Sequence, residues 1–171
     1  MNNDIIIRPV RSDECSSFLE FMNKTDEETD YMSTAPGERQ ISPFQLSLYL
    51  KSGFQVSFIA LNHQKIIGQI SGFYILGKGQ RLKHSIHIGI SVLKEYWGQG
   101  VGTALMGYFI QWATEMGLER IELHVMCHNT SAIQLYKKNG FQIEGVRRKS
   151  IKIKEDYIDE YLMSKLLASD Q

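Results

Sequence analysis

Along this chain, stretches in which apolar and polar residues alternate give way to stretches in which apolar residues return every third or fourth position. Alternation is the signature of a half-buried strand, and the longer period that of an amphipathic helix. The clearest alternating run is His84 to Leu93. His84, Ile86, Ile88, Ile90 and Val92 share one side, and Ser85, His87, Gly89 and Ser91 the other. Ile121, Leu123 and Val125 alternate in the same way. Ile5 to Val10 is a short β-branched strand that Pro9 ends or places at an edge. Val56 to Leu61 and Ile66 to Leu76 flank Asn62-His63-Gln64 and read as a hairpin, followed by a loop at Gly77-Lys78-Gly79. Phe141 to Ile153 and Tyr157 to Leu167 form two long final strands around Lys154-Glu155-Asp156.

The helical period appears between these runs. Ser12-Asp13 is placed to cap a helix carrying Cys15, Phe18, Leu19 and Met22 on one side. Asn23 to Gln40 is polar and acidic, which predicts a loop, or a weak helix followed by a loop. Ser42-Pro43 opens a second helix whose apolar side is Phe44, Leu48 and Leu50. Leu105, Phe109, Trp112 and Met116 mark a third helix, ended by Gly117. Ser131 to Asn139 is a fourth, closed by Gly140. The predicted order is β-α-α-β-β-β-α-β-α-β-β. That is a mixed α/β chain with a hairpin-rich sheet and not a repeating βαβ. No repeat or linker divides it, so a single domain over residues 1–171 is expected.

Composition narrows the partners. Lys plus Arg number 19 and Asp plus Glu number 19, which removes a bulk electrostatic argument for nucleic acid or an anionic membrane. Cys15 and Cys127 lie far apart and form no metal-ligand pattern. Two free thiols suit a reducing compartment. The first residues lack the order of a secretory signal and no apolar run could cross a bilayer, so a cytoplasmic protein is expected.

The candidate chemistry begins at Trp97-Gly98-Gln99-Gly100-Val101-Gly102-Thr103, where a strand gives way to a helix. A helix start has unpartnered N–H groups and partial positive charge, and glycines let another group approach the backbone. The combination suits phosphate oxygens, the alternative being a tight strand-to-helix connection. A dinucleotide fingerprint would need glycine at 103 or 105, where Thr103 and Leu105 stand. A P-loop would need Gly-Lys-Ser/Thr, and Gly102 is followed by Thr103-Ala104.

A second segment, Asn129-Thr130-Ser131-Ala132-Ile133-Gln134-Leu135-Tyr136-Lys137-Lys138-Asn139-Gly140-Phe141, follows the next strand. With the glycine turn, it resembles the GNAT N-acetyltransferase superfamily. The family's loop Gln/Arg-x-x-Gly-x-Gly/Ala corresponds to Trp97 through Gly102, and its motif Asn-x-x-Ala-x-x-Leu-Tyr-x-x-x-Gly-Phe to Asn129 through Phe141. Trp97 departs from the family's usual Gln or Arg. The resemblance implies a GNAT-like fold, acetyl-CoA as cofactor and transfer of its acetyl group to a primary amine.

It also implies site residues. Backbone amides of Gly98, Gln99, Gly100, Val101, Gly102 and Thr103 would hold the pyrophosphate. The strand from Ile88 to Val92 would part from its neighbour, with Ile90, Ser91 and Val92 meeting the pantetheine and Gly89 permitting a bulge. An N–H near Ile90 would steady the oxyanion. Tyr136 matches the general acid, and Asn129 would bond the cofactor or cap its helix. His87, with His84 nearby, is the candidate base. Asp26 to Asp30 and Glu38 are candidates to attract a cationic amine. Arg147-Arg148-Lys149 could meet a phosphate or a substrate carboxylate, and Tyr31, Met32, Tyr157 and Tyr161 could line an acceptor pocket. The acceptor is a small molecule or a peptide N-terminus, and the final strands could present an edge to a second copy. The alternative function is a non-catalytic acyl-CoA-binding or sensing module.

Overall fold

A computed structural model of the chain describes residues 5–74 and 81–167. The strands are β1 (Ile6–Pro9), β2 (Gln55–Asn62), β3 (Lys65–Phe73), β4 (Ser85–Val92), β5 (Arg120–Met126), β6 (Gln142–Ile153) and β7 (Asp156–Leu166). The helices are α1 (Cys15–Glu28), α2 (Pro43–Ser52), α3 (Val101–Glu115) and α4 (Thr130–Lys138). Their order is the one the hydrophobic pattern predicts. The strands form one mixed sheet in the order β1-β2-β3-β4-β5-β7-β6.

Helices cover both faces. On one, α3 and α4 enclose Phe58, Ile70, Ile86, Ile88, Leu105, Phe109, Ile121, Leu123 and Met163. Each such side chain, fully buried, contributes about 1.5–3 kcal/mol. Gly72 permits this close approach: a Cβ there would stand 2.6 Å from Ile86 and 2.7 Å from Phe109. On the other face, α1 and α2 bury Phe18, Leu19 and Leu46 against Ile59, Leu61 and Leu93. The β2–β3 turn places His63 at φ 51° and Gln64 at φ 80°, the two left-handed residues of a tight hairpin turn.

The structure decides several local points. For the acidic segment after Met22 the second alternative holds: α1 runs on to Glu28 and a loop leads from Thr29 to α2. Thr25 and Asp26 are both 2% exposed, and Asp26 receives Arg39 Nε at 3.0 Å and Nη2 at 2.8 Å. A pattern of polar letters does not show that one of them is matched by an arginine further along. Ser12 and Asp13 lie in a 3₁₀ turn, and α1 starts at Cys15. The inward side of α2 is Leu46 with Leu50, while Phe44 and Leu48 face outward. Both pairs are four residues apart, so periodicity alone does not choose between them. Met116 is exposed at the end of α3. The hairpin strand expected to reach Leu76 ends at Phe73, and Leu76 and the predicted Gly77-Lys78-Gly79 loop lie outside the described residues.

Candidate active site

The site begins with a parting of strands. β4 and β5 pair in parallel over only Ser85–His87 with Arg120–Glu122. Beyond that point β4 stays on β3 as far as Val92, and β5 stays on β7 as far as Met126. Each strand follows its antiparallel partner, and a gap opens between them. The direction of the backbone groups follows from the ladder. Leu93 N–H donates to Ile67 C=O at 3.0 Å, and His84 C=O accepts from the amides of Glu119 and Arg120. Alternation then bonds His87, Gly89 and Ser91 to β3 and turns the amides and carbonyls of Ile88, Ile90 and Val92 toward the gap.

This sorts the predicted strand residues. Ile90 and Val92 face the opening. Ser91 does not: its backbone belongs to the β3 ladder and its hydroxyl accepts from Gln69 Nε2 at 3.3 Å. The bulge expected at Gly89 is absent, since β3 and β4 pair without a register shift. The strands part because they follow different neighbours. Gly89 instead leaves the sheet bare, with nothing within 4 Å of where a Cβ would stand. Trp97 gains a definite role. Its indole N–H donates to Val92 C=O at 2.7 Å, tying the end of β4 to the glycine turn.

That turn sits at the mouth of the gap. Gly98 has φ 73° and Gly100, the N-cap of α3, φ 84°; a Cβ at either would be strained in this left-handed backbone. No side chain caps α3, and its first intrahelical bond runs from Ala104 N–H to Gly100 C=O at 2.9 Å. The amides of Val101, Gly102 and Thr103 therefore lack helical partners. Gln99 turns its side chain back to Glu95 C=O at 2.7 Å, leaving the loop uncovered. Gly102 lets α4 pack closely, a Cβ there lying 3.1 Å from Leu135.

The acid and base candidates flank the gap on opposite faces. Tyr136 lies in the last turn of α4, among the α3–α4 core, its ring 5.9 Å from that of Phe141. Burial raises its pKa above the usual phenol value, which keeps the proton on at neutral pH. Its hydroxyl has no hydrogen-bond partner among the described residues. His87 projects on the face of α1 and α2. Its ring lies 4.8 Å from His124, and its Nδ1 lies 3.9 Å from Glu122 Oε1. Burial is the main cause lowering its pKa, helped by His124 and opposed by Glu122. Burial and Arg147 lower that of His124. Both rings are thus biased to the neutral, proton-accepting form.

The other predicted residues separate. Asn129 is the N-cap of α4, its Oδ1 accepting from Ala132 N–H at 3.2 Å. His84 stands at the closed end of the β4–β5 pair. Asp26 is committed to Arg39, Glu38 accepts from Ala35 N–H, and Glu28 accepts from Lys94 N–H at 2.7 Å, so these three hold local structure, while Glu27 and Asp30 are exposed. Tyr31 packs against His128 at 5.4 Å, whereas Tyr157 lies under Lys149 and Lys152. Sequence reasoning missed His124, Glu122 and Glu160. The signal was present in β5, where Glu122 and His124 alternate with Ile121, Leu123 and Val125.

A mixed sheet that opens between its parallel strands, with an uncapped glycine-rich helix start at the mouth, defines an acetyltransferase fold. The family model described as "Acetyltransferase (GNAT) family" matches residues 21–141, and the chain belongs to that family. It is 35% identical over 104 residues to the L-amino acid N-acetyltransferase AaaT of Escherichia coli, a match covering 59% of this chain and 64% of that protein. A crystal structure of a GNAT-family acetyltransferase from Streptococcus pneumoniae superposes with a TM-score of 0.90 at 28% identity, covering 96% of this chain and 100% of that one. The fold is also that of yncA, a putative acetyltransferase from Salmonella typhimurium solved with acetyl-CoA, at a TM-score of 0.84 and 15% identity over 97% of this chain and 95% of that one. Among the described residues no helix is long and apolar enough to cross a membrane.

Proposed function

We propose that this chain transfers the acetyl group of acetyl-CoA to a primary amine by direct attack. The observation that carries the reading is the gap between β4 and β5, into which Ile88 and Ile90 turn their backbone groups, with the uncapped start of α3 at its mouth. A pantetheine arm lying in that gap adds as a strand would, and its amides pair with Ile88 and Ile90. The pyrophosphate rests on the amides of Gly98 to Thr103.

The two faces then divide the chemistry. The amine approaches over Gly89 on the face of α1 and α2, where nothing stands within 4 Å of the place a Cβ would take. Its nitrogen lone pair attacks the thioester carbonyl carbon, and the Ile90 amide stabilises the oxyanion. His87, neutral, takes the proton that nitrogen sheds. The carbon–sulfur bond breaks, and Tyr136 gives its proton to the sulfur from the opposite face. No covalent acyl-enzyme is needed, and both thiols are poor nucleophiles because burial raises the pKa of Cys15 and of Cys127.

Free thiol measured during incubation with acetyl-CoA and a panel of amines tests the proposal. Amine-dependent thiol release, with the acetylated amine found by mass spectrometry, is the expected result. Stabilisation by acetyl-CoA with no release for any amine would replace the enzyme with the sensing module.

A further inference from the structure

The face over which the amine approaches carries one arginine whose hydrogen-bonding capacity is largely unused. Arg147 stands opposite Glu160 in the β6–β7 ladder, and Glu160 in turn lies opposite Met126 of β5, two residues along from His124. These side chains alternate onto the face that bears His87, Glu122 and His124. Among the described residues Arg147 makes one side-chain hydrogen bond, from Nη1 to Glu160 Oε2 at 3.1 Å, and its side chain is 49% exposed. Arg39 and Arg120, by contrast, each fork across a carboxylate with two nitrogens. The buried carboxylate of Glu160 orients the Arg147 guanidinium and leaves its remaining N–H donors open.

Two further observations concern the surroundings of those donors. Past Arg147, β6 takes four residues to reach Ile151 while β7 takes two, from Glu160 to Ile158, so β6 lifts away from its partner. Lys149 at the crest has φ 53°, and its amide is held by Asp159 Oδ1 at 2.8 Å. The charge of Arg147 also acts on both His87 and His124, lowering the pKa of each, and Glu160 opposes it at both. The guanidinium and the proton-accepting rings therefore share one electrostatic neighbourhood.

Resting on the acetyltransferase reading above, we infer that the acceptor is an amino acid, and that Arg147 is the specificity-determining residue that receives its carboxylate while its amine lies at His87. A planar guanidinium with a free pair of donors matches a carboxylate in charge and shape. A polyamine or a peptide N-terminus offers no anion near its amine and leaves those donors unpaired.

The test compares kcat/KM for the L-amino acid turned over fastest, its amide and its decarboxylated amine, in wild type and in Arg147→Gln. The expected result for wild type is a preference for the acid over the amide of about 10- to 100-fold, the worth of a charge-assisted hydrogen bond. Assayed at a pH well above the histidine range, where His87 is neutral with or without the Arg147 charge, Arg147→Gln raises KM for the acid by a similar factor, more than it changes kcat, and costs the amide far less than the acid. Because the variant leaves Glu160 without its partner, Arg147→Gln with Glu160→Gln serves as a second background and gives the same loss of preference. Equal or better turnover of amide and amine by wild type overturns the inference while the enzyme reading stands. Equal losses for acid and amide in both variants overturn it as well, by showing a structural role. Failure to acetylate any amine removes the enzyme reading and the inference with it.

Discussion

The Asp26–Arg39 pair joins the end of α1 to the segment leading into α2, and breaking it has a calculable cost. Asp26 is 2% exposed, and its two oxygens receive Arg39 through three hydrogen bonds of 2.8–3.1 Å. Burial raises the Asp26 pKa and Arg39 opposes that rise. Arg39→Met removes the compensating charge and leaves the carboxylate among packed side chains. Stranding one member of a buried pair costs roughly 3–5 kcal/mol, and the partial exposure of Arg39 places this site near the lower end. Against a total stability of about 5–15 kcal/mol that is a large fraction. The sign with pH also follows. The Asp26 pKa rises further in the variant, so the deficit is full near neutrality. It shrinks as pH falls through that raised pKa and the carboxyl becomes neutral. Urea unfolding at pH 7 and at acid pH, with m unchanged, reads both effects. Replacing Asp26 by Asn in the same background is expected to recover part of the loss. A deficit below about 1 kcal/mol that does not vary with pH would show an ordinary surface pair and refute the reasoning.

Four other outcomes are expected. Tyr136→Phe lowers kcat about 10²-fold or more while the urea midpoint stays near wild type, because the hydroxyl makes no hydrogen bond among the described residues; an unchanged kcat in single-turnover kinetics removes Tyr136 from the chemistry. In wild type, kcat/KM falls as pH drops through the lowered His87 pKa, below the ordinary histidine value of 6.5, and a pH–rate profile of His87→Gln lacks that limb. Gly100→Ala forces a Cβ into φ 84°, costs about 1–2 kcal/mol of stability and weakens acetyl-CoA binding in calorimetry. Trp97→Phe frees the Val92 carbonyl and costs about 0.5–1.5 kcal/mol in urea unfolding.

The architecture was legible because it depends on period. The alternation of Ile86, Ile88 and Ile90, the spacing of Leu105 and Phe109, and the turns at Gly117 and Gly140 each belong to local rules that burial reinforces. The choice between Leu46 and Phe44 was not legible, since two stripes on one short helix are equally periodic and only the surface of β2 decides. The glycine turn was readable as an open helix start because it needs only backbone and left-handed φ angles. Trp97 was not readable in the same way: its partner is the Val92 carbonyl, five residues back, freed by the parting of β4 and β5. The direction of the Ser91 backbone was not readable for a related reason. Strand residues alternate in the direction of their N–H and C=O groups as well as their side chains, and only the paired register shows which go where. The polar face holding His124 with His87 required strands distant in sequence to be neighbours in space.

The central claim is that the gap between β4 and β5 and the start of α3 together hold one ligand. Amide hydrogen exchange resolved by residue, with and without acetyl-CoA, tests it most directly. The amides of Ile90 and of Gly98 to Thr103 should slow together on binding, while Gly89 and Ser91, already bonded to β3, change little. Tight binding of acetyl-CoA that leaves the exchange of Ile90 and the glycine turn unchanged would contradict the account.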